Sequence, residues 1–545
     1  MAYQYLTQLF TGGLNKDMDP AALDLAGQNN VITQVADCRN ILFERGLALI
    51  RPGLIPLSLP NPPAAIPSNM NVRAIRSLPF AARSLQSPYY DRAAFAVTDY
   101  PTLYALEANA RVANVLTPTP IIGSGFTQQP NYSCSNAIVN GVVMIGGNST
   151  GLIRWDPSTT AYTIVANSPY QYVTGHTSRA VAAYRLGSSS VGYAKTVAWS
   201  VQGDETTWTG STNGSGSAIL ADVTDSITGL KTVKGVVVIA RAYGFHMGVP
   251  TGQFPVAYNW IKLSDESIGC MWPDSLVAYK DLLFFVSESG IHTFDLVDVE
   301  DIGEGVYQEI NNLARIYNCC SIRGFMSYGL QDFQPSYNLV LDSVVAQAGN
   351  IESALPHYMY NLREKKWSRH FYTLSGDNGC LSPLVASIPY LFYNGTSAAT
   401  LDPPSTQLML VYNRLPGSNT SPRIWAYGAP LDDAAGALLT TGQLTLDEPM
   451  MDIQLERVLL TYYAPPSISG VLVQLTAQCI LNGSLVSVSA SFTTYPAGGW
   501  DRRWFNLRIT GNMMQLYLSF PANIPGPCKI KSMMLEYTTT GKVRT

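Results

Sequence analysis

Between Trp199 and Gly210 the chain reads Trp-Ser-Val-Gln-Gly-Asp-Glu-Thr-Thr-Trp-Thr-Gly. A short apolar run ends in Trp199, a polar turn follows through Gly203, Asp204 and Glu205, and the chain returns through Trp208. The same order recurs at Ile153-Arg154-Trp155-Asp156-Pro157, at Ile291-His292-Thr293-Phe294-Asp295 and between Tyr360 and Trp367. A strand ending in an aromatic, a polar turn and a partner strand, repeated along one chain, is the pattern of blades in a β-propeller. Trp155, Trp199, Asp204, Trp208, Phe294 and Trp367 are therefore read as structural landmarks of blades, with the rings of Trp199 and Trp208 largely buried between strands.

Asn-Gly, the strongest short hairpin signal, stands at 140–141, 213–214, 378–379, 394–395 and 482–483. The runs 142–145, 236–240 and 282–286 are apolar throughout, as strands covered on both faces are. Strand clusters between about 70 and 430 recur every ~40–50 residues, giving about six or seven divergent blades. Farther on, Val471, Val473, Leu475, Ala477 and Cys479 alternate with polar residues, and Met514, Leu516, Leu518 and Phe520 repeat the pattern. Such alternation marks half-buried antiparallel strands and suggests a small β-sandwich. Only the segment from Gln308 to Arg315 reads as helix. The expected fold is all-β: residues 1–69 an irregular N-terminal arm and Pro-rich linker, 70–436 a β-propeller, and 437–545 a β-sandwich.

A chain of 545 residues suits one large propeller with an appended domain. Charged residues make up 13% and net charge is −4, which argues against a tight nucleic-acid clamp. The N-terminus lacks the charged and apolar regions of a secretory signal, and no apolar run is long enough to span a bilayer. The eight Cys show neither metal-ligand spacing nor a disulfide framework, so free, buried thiols are expected.

The landmarks, taken in order, resemble the tail nozzle, or DNA-stabilisation, β-propeller proteins of short-tailed bacteriophages. The resemblance rests on Gly12-Gly13-Leu14-Asn15, on Arg51-Pro52-Gly53, and on the blade holding Trp199, Ser200, Asp204 and Trp208. It rests also on 284–295 and on Met533-Met534-Leu535-Glu536-Tyr537 ahead of Gly541-Lys542. It implies a structural virion protein, made in the host cytoplasm. Copies would form a hexameric ring at the distal part of a short tail, retain the packaged genome and form its ejection channel. It further implies contacts with a tail adaptor ring protein and with tail fibre or spike proteins, and passage of double-stranded DNA without sequence readout. Residues 1–60, with Gly12, Gly13, Arg51, Pro52 and Gly53, are the candidate assembly arm, whose removal should leave a folded propeller.

Propellers also carry glycosidases, so a carbohydrate-binding or carbohydrate-cleaving role is the alternative. Glycoside hydrolysis needs two carboxylates set across the scissile bond. Asp204-Glu205 and Asp298, Glu300 and Asp301 lie in turn-like stretches and read as solvated acids. His176, His246, His292, His357 and His370 have no metal spacing, and Gly123-Ser124-Gly125 and Gly214–Ser217 lack the strand–turn–helix setting of a nucleophile elbow. No catalytic residue, cofactor or metal is expected. Arg363-Glu364-Lys365-Lys366 and Arg502-Arg503 are the densest basic spots, and Trp500 and Trp504 flank the second. The two Trp either cap the sandwich core or stack on a sugar.

Overall fold

A computed structural model describes residues 4–18, 31–51, 53–56, 72–77, 92–98, 103–108, 116–120, 135–156, 162–166, 168–186, 193–208, 214–221, 224–253, 256–263, 268–317, 319–327, 335–343, 355–371, 384–392, 405–412, 423–429, 436–444, 451–464, 470–481, 483–494, 499–521 and 528–543. The strands within 53–120 and 384–429 are described by their backbone. The Pro-rich linker, Pro52 and the Asn-Gly pairs at 378–379 and 394–395 lie outside the described residues.

The described chain is almost entirely β, with helix Tyr307–Ile316 where the sequence places one. Four-stranded antiparallel sheets like the blades of a propeller follow one another along the chain. Their first strands lie side by side in series. Asn136–Val139 touches Tyr170–His176, and contact then passes to Ile227–Val233, Val277–Tyr279, Cys319–Ser327, Leu384–Phe392 and Val72–Ser77. The apolar runs at 142–145, 236–240 and 282–286 are second strands, nearly continuously buried, because a neighbouring sheet covers each face. Asn140 and Gly141 both have positive φ and make the tight turn between Asn136–Val139 and Val142–Ile145.

Sheet-to-sheet packing explains the Trp199–Trp208 stretch. Trp199, 4% exposed, ends the third strand of its sheet and packs forward with Ile227, Leu230, Val237, Ile239 and Tyr258 of the next. Trp208 packs backward with Val139, Val142, Met144 and Leu152 of the preceding sheet, and its Nε1 donates to Glu205 O at 2.8 Å. One turn thus wedges an aromatic into the interface on either side. Phe294 does the same job farther on, stacked on Phe245 with ring centroids 4.8 Å apart. Trp155 is fully buried, and Trp367 donates its indole N–H to Ile302 O.

Residues 1–60 correct the expectation of an irregular arm. Gln4–Leu14, Val31–Arg39, Ile41–Glu44 and Leu47–Ile50 are strands of a ten-stranded sheet shared with the C-terminal region. Gln4–Leu14 pairs parallel with Val31–Arg39 and antiparallel with Lys529–Val543. Val31–Arg39 pairs with Ala437–Thr441, which pairs with Gly499–Phe520. Met451–Ala464 pairs with both Gly499–Phe520 and Lys529–Val543, so the pairings close a circuit and bury those edges. The alternation read in the sequence faces inward: Val473, Leu475, Ala477, Leu516 and Leu518 are fully buried.

Gly12-Gly13 is not a free turn. It is a bulge in the first strand, where the register with Val31–Arg39 shifts and Gly13 takes φ +74°. A Cβ at Gly12 would come within 2.5 Å of Gln34 Cγ and 2.8 Å of the Thr33 carbonyl, so that approach excludes a side chain. Strand Gly53–Pro56 completes a sheet with Leu384–Phe392, Ser405–Tyr412 and Arg423–Ala429. Removing 1–60 would therefore take strands from two sheets rather than spare the propeller.

One apolar core runs from this ten-stranded sheet into the sheets at 277–301 and 319–370. A buried polar junction crosses it. Arg369, on Lys366–His370, pairs with Asp37 from the N-terminal strands and with Glu309 from the helix. Burial pushes the guanidinium's pKa down, but Asp37 and Glu309 outweigh it, so the charge is held firmly. Asn40, with φ 58°, donates Nδ2 to Gly436 O at 2.7 Å. Its Oδ1 accepts from Arg51 Nε at 2.9 Å and from Phe371 N at 3.0 Å. Beyond Arg51 lie His357 and His370; burial and then the nearby charge of Arg51 lower the His357 pKa to about 3. Burial, His357 and Arg51 hold His370 well below its usual value.

Two measurements test this junction. Arg369→Ala takes from Glu309 its buried partner and leaves Asp37 only the longer pair with Lys16 at 3.8 Å, and should cost roughly 3 kcal/mol in denaturant unfolding; a loss near zero would show that the pairs are solvent-screened. The two His are neutral when folded and take up protons only when unfolded. Their contribution is therefore complete above about pH 6.5 and is lost as pH falls from there toward 3. His357→Gln combined with His370→Gln should flatten the decline in melting temperature between pH 6.5 and 4; an unchanged slope would contradict it.

Candidate interaction surface

Of the acids considered for catalysis, Asp298, Glu300 and Asp301 are exposed, whereas Asp204 and Glu205 are engaged in structure. Asp204 closes its own turn, accepting from Thr206 N at 2.8 Å, Thr206 Oγ1 at 2.6 Å and Thr207 Oγ1 at 2.6 Å. The Thr206 and then the Thr207 hydrogen bonds lower its pKa. Glu205, read from sequence as solvated, is buried. Its Oε1 accepts from Arg154 Nε at 2.7 Å and its Oε2 from Asn140 Nδ2 at 3.0 Å, both in the preceding sheet. Burial pushes its pKa up, and those two partners more than reverse it. Glu205 is thus an inter-sheet clamp beside the Trp208 wedge. Nothing in the spacing of the sequence places Arg154 or Asn140 next to it.

The histidines are likewise bonded inward: His176 to Tyr258 and Gly235 O, His246 to Arg241, His292 to Ser287, and His357 to Asn338. Cys38, Cys270, Cys319, Cys479 and Cys528 are free thiols, and burial raises Cys38, Cys270 and Cys528 to about 12, so they stay protonated. Among the described residues no group of His, Cys, Asp and Glu is arranged to hold a metal ion.

Of the assembly-arm candidates, Gly12 and Gly13 lie in the bulge, Gly13 against the Lys366 side chain, and Arg51 lies in the junction. Gly53 pairs with Ala429, and Pro52 is outside the described residues.

The basic spot at 502–503 does form a surface. Strand Gly499–Phe520 turns Phe505, Leu507 and Ile509 inward and leaves Trp500, Arg502 and Trp504 outside. Trp500 is 51% and Trp504 39% exposed, so neither caps the core. The register sets Trp500 beside Tyr463, Arg502 beside Thr461 and Trp504 beside Leu459, with Lys529, Ser532 and Met534 one strand farther along the same three rows. The rings are held in place: Tyr463 meets Trp500 edge-on at 5.8 Å, Lys529 Nζ lies 5.7 Å from the Tyr463 ring, and the Arg457 guanidinium covers Trp504 at 4.2 Å. Arg457 is fixed in turn by a two-point bond to Glu536, both distances 3.0 Å. Arg502 and Lys529 have no carboxylate within ion-pair distance among the described residues. Ordered, exposed Trp, Tyr and Arg with uncompensated positive charge are the composition of a binding face.

No family model matches the chain. No curated protein matches it. Among solved structures it is similar to the extracellular domain of a hybrid two component system from B. thetaiotaomicron, at 8% identity and TM-score 0.39, over 72% of this chain and 45% of that one. It thus spans less than half the length of that domain. It is also similar to BamB from Moraxella catarrhalis, at 11% identity and TM-score 0.31, over 70% of this chain and 98% of that one.

Proposed function

We propose that this chain is a structural virion protein whose copies form a ring, six by resemblance to the tail nozzle family, at the distal part of a short phage tail. The ring would retain the packaged genome and form the channel by which DNA leaves. In this reading the four-stranded sheets make a seven-bladed propeller, with Gly53–Pro56 as the outer strand that fastens its last blade. The N- and C-terminal strands make a sandwich-like closed sheet welded to it. One observation carries the reading: acids, arginines and a histidine of the kind a catalytic propeller would aim into a cleft here join neighbouring sheets, as Arg369 with Asp37, Glu205 with Arg154 and His176 with Tyr258 do. Rigidity suits a wall that confines DNA under pressure. Composition adds support, since 38 acids against 34 bases give a wall that does not grip phosphates. The exposed Trp500 and Trp504 favour one second reading, a carbohydrate-binding propeller at the host surface.

Imaging of native particles tests the choice. The expected result is a ring of this chain around the tail axis with a bore wide enough for a duplex, and particles lacking it that package DNA but lose it or fail to infect. Single copies at fibre tips, or a ring with no such bore, would overturn the proposal.

A further inference from the structure

We infer that the aromatic-basic face around Trp500, Arg502 and Trp504 docks the acidic turn at 295–304 of a second copy of this chain. The inference rests on the ring reading and names its subunit contact. The turn is the chemical complement of the face. Residues 295–304 hold Asp295, Asp298, Glu300, Asp301 and Glu304 and no basic residue; Lys365 pairs with Glu300 at 2.9 Å and Lys234 borders Asp295, so five carboxylates against two ammonium groups leave an acidic excess. At its tip Val297 is 80% exposed, an unusual setting for a branched apolar side chain.

The tip is rigid rather than floppy. Asp295 Oδ1 accepts from Val297 N at 2.9 Å and from Asp298 N at 2.8 Å, Leu296 takes φ +81°, and Lys234 Nζ donates to Asp295 O at 2.8 Å. A preformed tip meeting preformed rings loses little conformational freedom on docking. Val297 supplies the apolar contact for the indoles, while Asp298 and its neighbours face Arg502 and Lys529. The two surfaces are different parts of one chain, so each copy offers one to the copy ahead and the other to the copy behind. That is a heterologous contact, the kind that closes rings. A face that paired with itself would oppose Arg502 to Arg502.

Charge exchange in the full-length chain tests the contact, with assembly followed by sedimentation velocity at low salt. Arg502→Glu and Asp298→Lys should each weaken association roughly tenfold or more, and the chain carrying both should recover most of it. High salt should weaken the wild type in the same sense. Circular dichroism checks that each variant keeps its fold, which two exposed positions should allow. Assembly indifferent to both reversals overturns the contact and leaves the ring reading standing. A wild-type chain that stays monomeric at every concentration, while native particles hold it as a ring, overturns the contact as a self-sufficient one. Binding of heparin, lost in Arg502→Glu without any change in assembled mass, also overturns it and favours an anionic glycan on this face.

Discussion

Asn40 sits where three parts of the chain, far apart in sequence, have to meet. Its amide reaches Gly436, Arg51 and the backbone of Phe371, and its own N–H donates to Arg369 O at 3.0 Å. Next to it Arg369 gathers Asp37 and Glu309. Buried charges and amides are costly unless every partner is present, so this cluster is stable only when the N-terminal strands, the helix and the sheet at 357–370 are all in place. The apolar core around it is non-directional and could tolerate slippage. The polar cluster cannot, and it fixes how the ten-stranded sheet meets the propeller-like sheets.

From that constraint the distribution of chemistry follows. Sheet-to-sheet interfaces are filled by apolar clusters, each pinned by a wedge such as Trp208 or Phe294 and here and there by an ion pair such as Arg154–Glu205. Arg154, Glu205, Arg369, Asp37 and Glu309 are engaged as fasteners. Among the described residues, the exposed features include an aromatic-basic face around Trp500 and Trp504 and an acidic turn tipped by Val297. Under the proposed reading, the charge complementarity of these two surfaces is what would serve assembly.

Much of the fold was legible because strand periodicity is local. The runs 142–145, 236–240 and 282–286 announced strands covered on both faces, and the alternation from Val471 to Cys479 announced a half-buried one. The helix announced itself too. The N-terminal strands stayed hidden for a physical reason. Gly12-Gly13 has the composition of a turn but serves as a bulge, and the partners of Gln4–Leu14 include Lys529–Val543 at the other end of the chain. Arg51 carried the resemblance and was read as reaching outward; it turns inward because Asn40 and Phe371 O wait there. For the interaction face, the sequence showed Trp500 and Trp504 flanking Arg502-Arg503, but neither which side of a strand they share nor Tyr463, Arg457 and Lys529 from the neighbouring strands.

The central claim is that the junction makes the ten-stranded sheet and the propeller-like sheets one cooperative body. Scanning calorimetry of the full-length chain, with and without Asn40→Ala, tests it most directly. The wild type should unfold in a single transition, and Asn40→Ala should split it into two as the sheets melt apart. Two resolved transitions already in the wild type, or a single transition unmoved by the substitution, would contradict the account.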